Sequence, residues 1–133
     1  MKSICKTITV PCREHSIGEV GDLVRESLAE VDLSLERKDL IRQSIEETLG
    51  SLVRYSNYKG YRHNISVTAD VDEGRFRVVF ADSLKEFVCG GDSELVGDTP
   101  YRMGMTTARR IMNEISYTYK KGARNELELV HSL

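Results

Sequence analysis

Little in this sequence points to a ready-made chemistry. Its three cysteines, Cys5, Cys12 and Cys89, are odd in number and far apart, so free thiols in a reducing compartment are expected rather than a disulfide framework. Three scattered histidines and no paired-cysteine motif argue against a metal site. Neither sign of charge dominates: 19 Lys and Arg against 21 Asp and Glu leave a net charge of −2, with no global attraction to nucleic acid or an anionic membrane. No apolar run approaches a membrane span, and the start does not read as a signal peptide, so a cytoplasmic setting is expected. No internal repeat or linker interrupts the 133 residues, and a single domain, 1–133, is expected. An apolar content of 40% suits one ordinary core.

What the chain has is pattern. Residues 3–11 read as a strand with Ile4, Ile8 and Val10 on one face, closed by Pro11. Ser16-Ile17-Gly18-Glu19 has the form of a capping box and predicts a helix striped by Ile17, Val20, Val24, Leu28 and Val31. Ser34 suits the cap of a longer helix, predicted to about Tyr55, with Ile41, Ile45, Thr48, Leu49 and Leu52 as its buried stripe. Ile45 and Leu52 should point into a sheet and Glu46 should tolerate change. The polar, aromatic run 56–63 reads as a loop. Two alternating runs around Asp72-Glu73-Gly74 predict a hairpin. The acidic, glycine-rich segment 82–100 has no period, and 88–100 is expected to be the most mobile part of the chain. Met105, Ala108, Ile111 and Met112 predict a short helix; where Gly104 serves only to let it start close to the sheet, Thr106 or Thr107 would cap inside it. Ile115-Tyr117-Tyr119 and Leu127-Leu129 then predict two strands. The order β-α-α-β-β-loop-α-β-β implies a two-layer α/β sandwich, its sheet mostly antiparallel and its helices on one face.

Candidate functional residues fall at three places along that order. Glu47, Ser51 and Arg54 share one flank of the long helix, in the run Glu47-Thr48-Leu49-Gly50-Ser51-Leu52-Val53-Arg54-Tyr55-Ser56. Asp82-Ser83-Leu84-Lys85-Glu86 follows the second hairpin strand, and Arg102-Met103-Gly104-Met105 opens the third helix. In element order and in the placing of these boxes, the chain resembles the anti-sigma-factor serine kinases of the GHKL superfamily, small Bergerat-fold ATP-binding domains. The last strand, led by Arg124-Asn125, stands where that family has a Gly-Thr pair.

The resemblance implies a role for each position. Glu47 would be the base toward the serine that receives the γ-phosphoryl group, and Ser51 stands where an Asn holds Mg²⁺. Asp82 would accept from the adenine amino group, Asn125 would line the nucleotide, and Gly104 would open the phosphate-binding helix start. The chain departs from the pattern at Ser51, at Leu84 and Glu86 in place of two glycines, and at Arg102 in place of another, whose guanidinium would either reach a phosphate or fill the place where one would lie. The resemblance therefore implies a regulator acting on a sigma-like factor or an anti-sigma antagonist, in the family also a homodimer, with no direct contact to nucleic acid or membrane. ATP and Mg²⁺ would bind weakly or not at all. An active serine kinase and an unrelated α/β sandwich are the competing readings. Under the last, Glu47 is a surface acid, Asp82 a strand terminator and Gly104 a close-packed helix start. Arg54, Lys59, Arg62, Tyr55, Tyr58 and Tyr61 are candidate contact residues for a protein partner.

Overall fold

The computed structural model describes residues 3–82, 105–120 and 124–133. Strand β1 (Ile4–Pro11) leads through a 3-10 turn (Glu14–Ser16) into α1 (Ile17–Leu28) and α2 (Leu35–Lys59). The hairpin β2 (Asn64–Val71) and β3 (Arg75–Asp82) follows, then α3 (Thr106–Ile111), β4 (Glu114–Lys120) and β5 (Arg124–Ser132). The strands form one antiparallel sheet in the order β1-β2-β3-β5-β4, so the last strand inserts between β3 and β4.

Period-two alternation sorts the sheet into an inner and an outer face. Ile65, Val67, Ala69, Val71, Phe76, Val78, Phe80, Leu127 and Leu129 are buried on the inner face, against Val20, Val24 and Leu28 of α1 and Ile41, Ile45 and Leu49 of α2. Both predicted helical stripes are thus in the core, and the helices cover one side of the sheet as the element order implied. The outer face is polar: Thr7 and Thr68 share a hydrogen bond, and Arg77 pairs with Glu128 and Asp70. Among the described residues no helix is long and apolar enough to cross a membrane.

Four local expectations are corrected. Ser16 does not cap α1, because its hydroxyl donates to the Pro11 carbonyl and fixes the turn out of β1 instead. The stretch after Tyr55 is not loop from its start. Tyr55 and Ser56 are buried, and no helix breaker occurs before Gly60, which closes α2 in the left-handed region at φ 74°. Ser34, by contrast, caps α2 as expected, accepting from the Arg37 N–H. Neither Thr106 nor Thr107 caps α3, whose first turn has no side-chain cap of its own from its N-cap residue Met105. Glu46, expected to tolerate change, is half-buried and engaged. Arg42 binds it at 3.0 Å, and its carboxylate lies over Gly21 of α1, where any Cβ would overlap it.

Candidate functional site

The end of the inner face where β3 stops carries a chain of polar groups rather than more core. Asp82 and Asn125 are register partners on neighbouring strands, and both side chains continue the inner-face rows of Phe80 and Leu127. The Asn125 amide donates to Asp82 Oδ1 at 2.8 Å. Tyr117, diagonal to Asn125 on β4, donates its hydroxyl to Asn125 Oδ1 at 2.6 Å. Asn125 is 3% exposed, so each of these bonds forms away from bulk water and its loss would leave a buried group unmet. Together with Leu52 of α2, Ile65, Phe80 and Leu127, these three residues line a small pocket between helix and sheet.

Two further titratable groups abut the carboxylate. His63 Nε2 lies 3.8 Å from Asp82 Oδ2, too far for a hydrogen bond. Burial pushes the His63 pKa below its ordinary value, against the pull of Asp82 and with help from Arg13, so near neutral pH the imidazole is uncharged and makes no ion pair. The Cys12 thiol is pushed up to about 11, by burial first and the Asp82 charge second, against a Ser56 hydrogen bond and Arg13. Cys12 is therefore a protonated, inert thiol at neutral pH.

The second group lies on α2. Glu47 Oε1 accepts the Ala108 backbone N–H at 3.1 Å. It thereby satisfies one of the donors that every helix start leaves open, at the head of α3, whose N-cap residue Met105 makes no side-chain cap. One turn on, Ser51 is fully buried and its hydroxyl accepts from Arg54 Nη2 at 3.2 Å. The strip Glu47-Ser51-Arg54 is thus not a solvated face, since only Arg54 is exposed along it.

Of the residues singled out in the sequence, Asp82 and Asn125 meet directly, and Glu47 and Ser51 stand one turn apart on the helix whose Leu52 reaches the same pocket. Arg102 and Gly104, with Leu84, Glu86 and the segment 88–100, lie outside the described residues. Tyr117 and His63 carry no functional signal in the sequence, and Cys12 only that of a free thiol. Alternation put Tyr117 on a strand face, but its partner follows from cross-strand register alone. Among the described residues, no cluster of three or more His, Cys, Asp or Glu side chains could hold a metal ion.

No protein-family model matches the sequence, and no curated protein does. Among solved structures the fold is similar to one described as the crystal structure of the SiaB–SiaC complex from Pseudomonas aeruginosa. The TM-score is 0.67 at 16% identity, over 94% of this chain and 88% of that one. At such identity the likeness is one of fold.

Proposed function

We propose that this chain is a regulatory domain that works by binding other proteins, in the manner of an anti-sigma partner switch, with Mg-ATP binding weakened or lost. One observation carries the reading: the groups that would anchor a nucleotide are already engaged by the chain itself. Asp82 Oδ1, which the resemblance assigns to the adenine amino group, takes the Asn125 amide, and Tyr117 holds that amide in place. Glu47, assigned as the base, takes a backbone N–H at the start of α3, the kind of donor that would otherwise meet a phosphate. Ser51, assigned to Mg²⁺, is buried and faces the Arg54 guanidinium, whose charge opposes a divalent cation. These residues fit Mg-ATP poorly.

A protein partner is supported by the structural neighbour, which belongs to a complex of two proteins. The partners that the resemblance implies are a sigma-like factor or an anti-sigma antagonist, and a homodimer is compatible with it. Calorimetric titration with Mg-ATP tests the reading. Heat corresponding to a millimolar constant, or none, is expected. A low-micromolar constant overturns the proposal and puts an active serine kinase in its place, with Glu47 as the base.

A further inference from the structure

The stretch from Thr48 to Ala69 contains no Asp or Glu, although the chain as a whole holds 21 of them. It carries Arg54, Lys59, Arg62 and three tyrosines, and folds into the last turns of α2, the link to β2 and most of β2, with all six of those side chains on the helix and the link. A chain of net negative charge therefore presents a local positive surface, and such a surface selects and steers partners of opposite sign.

That surface has an apolar centre and fixed surroundings. Tyr58 is 84% exposed on the last turn of α2, and Leu35, the other large apolar side chain so exposed among the described residues, is at the opposite end of that helix. Arg13, just before the 3-10 turn that follows β1, reaches the same turn, donating to Asn57 Oδ1 at 3.4 Å. Lys59 Nζ stands 5.9 Å from the ring centroid of the buried Tyr55. Gly60 turns the backbone, Tyr61 N–H bonds the Ser56 carbonyl at 2.9 Å, and the Tyr61 and His63 rings meet edge to face. The exposed cations Lys59 and Arg62 are thus carried on a defined turn rather than a floppy loop. Among the described residues the acids to reckon with there are Glu14, next to Arg13 on the 3-10 turn, and Asp82, already bonded to Asn125.

We infer that Arg13, Tyr58, Lys59 and Arg62 form a docking surface for an acidic segment of a partner protein, with Tyr58 as its apolar anchor. The inference rests on the protein-binding reading above and names the face and the chemistry of the partner. Aromatic and arginine side chains of this kind dominate interface energies, and the cations set the sign of what approaches. Nucleic acid is the less suitable occupant, because tight phosphate-backbone binding draws on more cations than this turn holds.

The test uses the full chain and a fluorescein-labelled glutamate-rich peptide containing leucine, followed by anisotropy at low and at physiological ionic strength. The double variant Lys59→Glu/Arg62→Glu should weaken binding at least about tenfold and remove most of its salt dependence. Tyr58→Ala should weaken it about threefold or more with the salt dependence kept. Reversing the exposed pair Arg109 and Arg110 on α3 to Glu should leave affinity within about twofold. Circular dichroism checks that each variant is folded. Absence of peptide binding by the wild type, equal losses in the α3 control, or tighter binding of a labelled single-stranded oligonucleotide would each overturn the inference. A tight Mg-ATP site alongside patch-dependent peptide binding sinks the earlier reading alone. An ATP-silent chain whose peptide binding ignores the patch sinks this one alone.

Discussion

Replacing Glu47 by Ala separates a site carboxylate from a structural one. The side chain sits on α2, half-buried, and its Oε1 meets the Ala108 N–H at 3.1 Å. Helix α3 has six residues and no side-chain cap from its own N-cap position, so this bond ties a short helix to the core. Losing a helix-cap acceptor costs about 0.5–2 kcal/mol, and a charged acceptor lies toward the upper end. Partial exposure lets water replace some of the loss, so about 1–2 kcal/mol is expected for Glu47→Ala. Glu47→Gln keeps an acceptor oxygen at similar reach and should lose less than about 1 kcal/mol. For a domain of this size, 1 kcal/mol corresponds to roughly 3–5 °C in Tm. Urea and thermal melts of the two variants measure both values. A Glu47→Ala protein as stable as the wild type would refute the capping role and return Glu47 to the surface-acid reading, for which less than about 1 kcal/mol is expected.

Two other perturbations follow from packing and burial. Gly21→Ala should gain helix stability only when Glu46 is out of the way: about 0.5–1 kcal/mol more stable in a Glu46→Ala background, with the gain lost or reversed in the wild type. Denaturant melts of the four-protein cycle measure that coupling, and additivity would show that Gly21 does not make room for the carboxylate. His131 is 4% exposed, and among the described residues neither ring nitrogen meets a side-chain hydrogen-bond partner. Desolvation, then the Arg37 guanidinium, hold its pKa below the ordinary value of 6.5, against a weaker opposing pull from the Ser132 backbone. Below about that pH the unfolded chain binds protons that the folded one refuses, so stability should fall as pH drops from 6.5. His131→Leu should flatten stability against pH between about 6.5 and 5, leaving the part due to His63, whose pKa is lowered in the same sense. An unchanged slope would show that His131 takes up its proton as readily in the fold as outside it.

Much of the architecture is written locally. The helical stripes of α1 and α2, the Ser34 cap and the turn at Asp72-Glu73-Gly74 each depend on residues a few positions apart, where periodicity and turn chemistry act. From these came the element order, the two layers and the buried faces. One departure from the expected elements is local in composition and tertiary in cause. A run of Ser, Asn and Tyr after Tyr55 has loop composition, yet packing of Tyr55 and Ser56 keeps it helical until Gly60 supplies the left-handed turn.

The candidate site is different. Glu47 and Ala108 are 61 residues apart, and Asp82 and Asn125 are 43 apart. Glu47, Asp82 and Asn125 were legible as residues worth marking, through the resemblance, but their partners were not. Nothing in the residues of β5 dictates that it inserts between β3 and β4, and that choice alone sets Asn125 against Asp82 and brings Tyr117 to Asn125. Side-chain alternation determines which face a strand residue occupies. Which residue it meets across the sheet is decided by strand order and register, and those belong to the folded whole.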